Sequence, residues 1–346
     1  MKVFKRVLSM TLICVMVVSS LLFASCQNVT SGYKIPIVCG ESGMNNICGV
    51  ATYGVNYYNL GVKAGDMAAD VLLEGKSTAT MPVQFDPNPA LDVNDTVAAE
   101  IGFTIPESIK SKQGTDATLN VTRVESAIVT SGADFTVGIV QIAQHVALDA
   151  SNKGFVDQLS VRMNAAGKKV TILDKNASGE PANATTIAET FVSDKVDLIY
   201  AIATPAAQAA ASTTTTIPVI FNAVTDPVDA KLVASLDAPG GNVTGVSDIN
   251  PVADQIDLIA ELLGKTDITI GLLYTSSEPN SVYQINLAKK QCEAKGYKYV
   301  EKAISDINGI EAAFIAMGGK VDAIYVPTDN TLANGAANIH SVNMGK

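Results

Sequence analysis

Small polar residues recur at equivalent places in this 346-residue sequence, each just after a short apolar run and just before a helix-forming stretch. Gln141 and His145 follow Val140, and Thr204 leads into Pro205 and Ala206. Thr225 and Asp226 come soon after Phe221, and Ser247-Asp248 follow Val246. Ser277, Glu278, Asn280 and Ser281 follow Tyr274; Asp329 follows Val326; Glu41 follows Gly40. Backbone N–H groups at helix starts lack intrahelical partners and favour negative charge. Thr204, Ala206, Ser277, Asn280 and Ser281 are therefore candidates to receive a carboxylate. Asp329 and Glu41, with Glu278 as a third, are candidates to receive an ammonium group. Any one Ser, Thr or Asp in such a place is equally well an ordinary helix N-cap. Seven such loops in phase point to one cleft that holds a small zwitterion.

The elements that must carry these loops are legible from residue 135 onward. Strand candidates are Phe135–Val140, Lys169–Leu173, Val196–Ala203, Ile217–Phe221, Asn242–Val246, Ile268–Tyr274, Lys298–Ala303 and Val321–Val326, with amphipathic helical stretches between them. Near-continuous apolar strands alternating with helices imply a parallel sheet covered on both faces. Ligands in such folds sit beyond the carboxyl ends of the strands. The break at Asp237-Ala238-Pro239-Gly240-Gly241 suggests a crossing between two lobes. Residues 33–110 supply further pieces: a strand candidate at Ile35–Gly40, a helix at Tyr58–Glu74 and a strand at Met81–Phe85. Joining Lys346 back to Ile35 would complete a βαβ unit.

Composition bounds the rest. Lys2, Lys5 and Arg6 precede an apolar run to Phe23, and Ala24-Ser25-Cys26 closes it. A basic start, an apolar stretch and small residues before a cysteine are the pattern of a lipoprotein leader, with Cys26 the lipidation site. Loss of residues 1–25 would take the net charge from −10 to −13 and leave 321 residues, enough for two domains. That acidity, with two histidines, argues against nucleic-acid binding. Cys39, Cys48 and Cys292 read as buried thiols, although an external location permits a Cys39–Cys48 disulfide. Nothing in the spacing supports a metal site or a cofactor, and no nucleophile elbow or phosphate-binding loop suggests an enzyme.

Several longer segments resemble a known family. These are Gln141–Ala150, Ala203–Ala209, Val224–Val228, Pro239–Asp248 and Tyr325–Thr331, with Ile35–Gly43 and Ala51–Gly61. They are similar to the substrate-binding proteins of ABC importers of the tryptophan/tyrosine-binding type. The resemblance covers 34–110 and 135–346. It implies an α/β fold of two doubly wound parallel-sheet lobes joined by a multi-strand hinge, type I periplasmic-binding-protein-like, that closes on an aromatic amino acid. Gln141, His145, Tyr53 and Asn56 would line the side-chain pocket. Partners would be an ABC permease and its ATPase, and the membrane through the lipid anchor. The segment order departs from the family and reads as a circular permutation. The expected organisation is a leader at 1–25, a tether at 26–33, lobe A from 134–225 plus about 54–80, and lobe B from 240–346 plus 34–50 and about 81–110. Residues 111–133 would be the permutation linker. The competing reading is a lipid-anchored adhesin or sensory receptor without transport.

Overall fold

The computed structural model describes residues 32–86, 88–114 and 117–346; the expected leader, Cys26 and most of the tether lie outside them. In chain order the elements are β1 (Ile37–Cys39), α1 (Ser42–Cys48), β2 (Ala51–Gly54), α2 (Tyr57–Glu74), β3 (Gln84–Phe85), β4 (Ala90–Val93), α3 (Asp95–Ile101), α4 (Glu107–Lys110), β5 (Phe135–Gln141), α5 (Val146–Ala165), β6 (Val170–Asn176), α6 (Pro181–Ser193), β7 (Leu198–Ile202), α7 (Thr204–Thr213), β8 (Val219–Val224), β9 (Val243–Ser247), α8 (Val252–Leu263), β10 (Thr269–Thr275), α9 (Pro279–Lys295), β11 (Lys298–Ile304), α10 (Ile310–Met317), β12 (Ala323–Val326), α11 (Asn330–Asn334) and α12 (Ala336–Met344). Every residue of β7, β8 and β12 is buried, as apolar strands covered on both faces must be.

Two six-stranded sheets result. Lobe A orders its strands β3-β9-β8-β7-β5-β6, all parallel, and lobe B orders them β11-β10-β12-β1-β2-β4. In lobe B only β4 is antiparallel, paired to β2. No strand is expected there from sequence, because a four-residue edge strand containing Asp92 carries little hydrophobic signal.

Lobe A's core is locked by the crossing of α2 and α5. A side chain on Gly61 would place its Cβ 2.1 Å from the Ser151 carbonyl oxygen, and one on Gly154 would lie 2.1 Å from that of Tyr58. Only glycine lets the two backbones approach so closely, and a larger residue at either position would cost at least about 1–3 kcal/mol. Beneath the crossing, the rings of Phe155 and Tyr200 stack at 3.7 Å.

The crossings between lobes differ from expectation. β9 pairs with β8, and β3 pairs with β9, so both strands belong to lobe A's sheet. The break at 237–241 therefore lies within lobe A. The chain passes between lobes at 248–251, at 55–56, between β3 and β4, and again between α4 and β5. A proline-glycine break marks a turn but cannot tell which sheet the next strand joins. The first two crossings are stitched together: Val55 N–H donates to Asn250 Oδ1 at 3.2 Å, and the Tyr57 hydroxyl donates to Asp248 Oδ2 at 2.7 Å.

Residues at opposite ends of the sequence meet in lobe B. β1 lies between β12 and β2, with Cys39 in register with Val326. The Lys34 N–H donates to the Asn343 carbonyl at 3.0 Å, and the Asn343 side chain brackets Ile35 through both its N–H and its C=O. Residues 117–124 run along lobe A: the Leu119 N–H donates to Asn59 Oδ1, and Arg123 pairs with the buried carboxylate of Asp157 at 2.8 Å. Cys39, Cys48 and Cys292 are free and buried.

Candidate functional site

The carboxyl ends of both sheets face one cleft, which holds three adjoining cavities. The first, about 450 Å³, lies between Ser42, Thr52 and Asp92 of lobe B and Tyr58, Val146 and Ala147 of lobe A. The second, about 180 Å³, includes Glu41, Gly43, His145 and Val146. The third, about 380 Å³, is walled by Ala143 and Pro205 on one side and by Ser277, Glu278 and Asn330 on the other. Gly43 and Val146 border both the first and second cavities, and Asn334 borders both the second and third.

Lobe A supplies neutral groups that the fold leaves unsatisfied. The Thr204 hydroxyl is buried without a hydrogen-bond partner, as are both ring nitrogens of His145. Thr204 begins α7 immediately after Ala203, whose φ of 82° is unfavourable for a residue with a Cβ. Such strain costs about 1–3 kcal/mol and persists only where the surroundings enforce it. Here the Ala203 N–H is held by the Asn222 carbonyl at 2.9 Å. The Asn222 side chain is itself anchored on Ser151 and Tyr200 at 2.7 and 2.8 Å. The turn thereby fixes the start of α7, whose Pro205 lines the third cavity. Burial lowers the His145 pKa, opposed in part by the nearby Asn330 side chain, which makes no hydrogen bond to the ring, and by the charges of Glu278 and Asp149.

Lobe B supplies carboxylates. Glu41 caps α1, accepting from the Gly43 N–H at 2.5 Å and the Met44 N–H at 2.6 Å. Burial nevertheless raises its pKa to about 7, against those two amides and with help from the charge of Asp248. Asp329 accepts from the Thr275 N–H and hydroxyl, the Ser281 hydroxyl and the Leu332 N–H, at 2.6–3.0 Å. Burial and the neighbouring Glu278 push its pKa up. Glu278 accepts from the N–H and side chain of both Asn330 and Thr331, at 2.6–2.9 Å. Asn280 donates to the Thr328 carbonyl at 3.0 Å, while its own Oδ1 is buried without a partner. Among the described residues that line the three cavities, none is a lysine or arginine.

The residues singled out from sequence therefore divide. Glu41 and His145 line the second cavity and Ser277 the third, whereas Thr204, Ala206 and Asn280 are buried beside the lining residues Pro205 and Glu278 without lining a cavity themselves. Ser281 and Asp329 bond to each other below its floor, and all four lone-pair directions of Asp329 are occupied. Gln141 is engaged inside lobe A by the Ala143 carbonyl, Asp149 and Asn152. Thr225 joins the hinge, donating to Asp248 at 3.2 Å and receiving Gln284 from lobe B at 3.4 Å. Asp226 caps its own turn at Val228 and Asp229, away from the three cavities. Asn56 lines the first cavity, whereas Tyr53 does not. Sequence reasoning missed Thr52 and Gln284; the latter is one helical turn after Asn280, a spacing that could have found it.

A cleft between two doubly wound lobes, with unpaired polar groups on facing walls, defines a two-lobed ligand-binding protein. The family model for ABC transporter substrate binding proteins matches residues 7–116 and 136–346, so the chain belongs to that family. A curated relative from Clostridioides difficile, a tyrosine-binding protein, is 42% identical over 198 residues. That match covers 57% of this chain, which spans 57% of the relative's length. An ABC domain from Streptococcus pneumoniae, solved in complex with L-Trp, is 42% identical with a TM-score of 0.56, over 60% of this chain and 70% of its own. A conserved domain protein from Vibrio cholerae is 40% identical with a TM-score of 0.55, over 59% and 71%.

Proposed function

We propose that this chain captures a free amino acid with an aromatic side chain in the inter-lobe cleft and presents it to an ABC permease. The observation that carries the reading is the pairing of unpartnered neutral groups on lobe A with carboxylates on lobe B. The ligand carboxylate would bind the Thr204 hydroxyl and the start of α7, with Asn280 and Ser277 opposite. Its ammonium would bind Glu41, since Asp329 is already saturated. Because these groups lie on different lobes, ligand contacts all of them only when the cleft is closed, which biases the closed form. The names of the tyrosine-binding and L-Trp-bound relatives support the aromatic class. Nothing in this reading calls for an enzyme or a cofactor. Lipidation at Cys26, in the segment outside the described residues, would hold the protein on the outer face of the membrane. Melting curves with each of the twenty amino acids test the reading. A true ligand at a hundredfold excess over Kd stabilises by about 2.7 kcal/mol. If none raises the melting temperature, transport capture is wrong and the adhesin or receptor reading takes its place.

We also propose that the segment order is a circular permutation of the family arrangement. The contacts of Lys34 and Ile35 with Asn343 support it, because a short loop could join residue 346 to residue 33. A gene reopened at residue 134, with those ends joined, should fold and bind with unchanged affinity. Loss of folding would refute the permutation.

A further inference from the structure

The first of the cleft cavities contains a feature that neither the ammonium nor the carboxylate site explains. Thr52 is 0% exposed, lines this cavity, and its hydroxyl has no hydrogen-bond partner. A buried hydroxyl without a partner costs about 1–3 kcal/mol, so a ligand group that fills this vacancy recovers that cost. Thr52 and Gly54 lie two apart on β2 and so share a face. A Cβ at Gly54 would come 3.7 Å from the Thr52 hydroxyl, so glycine there leaves open space beside it. In the antiparallel pair Thr52 stands directly opposite Asp92, whose carboxylate also lines the cavity. Among the described residues that carboxylate is held by long bonds, 3.2 Å from Asn45 and 3.4 Å from Gln113.

The route from the head-group site into this chamber passes Gly43 and Val146. A Cβ on Gly43 would lie 2.8 Å from Glu41 Oε2 and 3.3 Å from Val146 Cβ, so the missing side chain keeps that route open. The walls beyond it, from Val55, Tyr58, Ala147 and Ala150, are largely apolar and suit a flat ring. Ser42, Asn46, Asn56 and Thr118 add polar groups to the lining, and Thr52 differs from them in having a fully buried hydroxyl with no partner.

We propose that this chamber receives the ligand's side chain and that Thr52, with Asp92 beside it, selects rings bearing an O–H or N–H donor. The proposal rests on the amino-acid reading above. A phenol O–H or an indole N–H donates to Thr52 Oγ1 or Asp92, whereas a plain phenyl ring leaves both unsatisfied. Sites built to hydrogen-bond a substrate donor discriminate strongly against analogues that lack it.

Calorimetry with L-tyrosine, L-tryptophan and L-phenylalanine tests this on the wild type and on Thr52→Val, which keeps shape and strand preference. The wild type should prefer a donor-bearing ring. In Thr52→Val the affinity for that ligand should fall about tenfold while phenylalanine changes less than about twofold. Thr52→Ser, which keeps the hydroxyl, should retain the preference, and Asp92→Asn should reduce it even if the valine variant folds poorly. An unchanged ratio in both Thr52→Val and Asp92→Asn overturns the selection role and leaves the amino-acid reading standing. Failure of the wild type to bind any of the three overturns both.

Discussion

The two walls of the cleft are built on opposite plans. Lobe B's acidic groups are mostly committed: Asp329 and Glu278 spend their oxygens holding the starts of neighbouring helices. Lobe A's Thr204 and His145 are held in place by rigid surroundings yet bond to nothing. On one wall the carboxylates of Asp329 and Glu278 are committed and only neutral groups such as Thr52 and Asn280 keep a free atom; on the other, Thr204 and His145 are pre-organised but unpaired. Buried polar residues of similar appearance can therefore serve stability on one side and recognition on the other. What separates them is whether their own lobe already satisfies them.

The largest effect that would break this contrast is expected at Asp329. Replacing it with alanine strands four buried donors, so unfolding stability in denaturant titration should fall by about 3 kcal/mol or more. A small loss accompanied by a direct loss of affinity would instead make Asp329 a ligand contact. A smaller effect comes from Glu41. Its pKa of about 7 lies above that of an exposed glutamate because burial penalises the charge. Ionisation therefore costs the folded, ligand-free protein, which should gain stability as pH falls from 8 toward 5. Binding an ammonium needs the ionised form, so affinity should move the other way and drop about tenfold between pH 8 and pH 6. Asp329 and Asp248 are raised by burial as well and add to the stability profile, so Glu41→Gln should flatten the affinity profile while only reducing the slope of the stability profile. The smallest effect is the sharpest test. Thr204→Val removes an unpaired hydroxyl, so the free protein should keep or slightly improve its stability. Ligand affinity should nonetheless fall about fivefold in calorimetry, and a loss of stability would place Thr204 with the committed groups.

Much of the framework is legible before any coordinates. The runs at Phe135–Val140 and Ile268–Tyr274 become strands β5 and β10, and some of the loops that follow strands, those of Glu41, His145 and Ser277 among them, line the cleft. Apolar periodicity and helix-start chemistry are local, so a sequence displays them. The lobe to which Val243–Ser247 belongs is not local. That apolar strand is compatible with either sheet, and pairing with β8 decided it. Nor can a sequence distinguish Asp329 from Glu41. Both precede a helix after a strand and both cap it, and only the positions of Thr275 and Ser281 show that the first has no capacity left. Thr52 escaped notice because a threonine within a strand is ordinary; what sets it apart is the lack of a partner.

Lobe B's sheet has a consequence for the order of events in the chain's life. Its interior strand β1 lies between β2, made soon after it, and β12, made almost last. The bond between Ile35 and Asn343 spans 308 residues. Contacts so distant in sequence form slowly, because the intervening loop must close before they repay its entropy. Early segments of lobe B must wait, with their apolar faces uncovered, until the last tenth of the chain is available. Lobe B's sheet is thus completed only with its late strand β12, whereas every strand of lobe A is already made by Ser247.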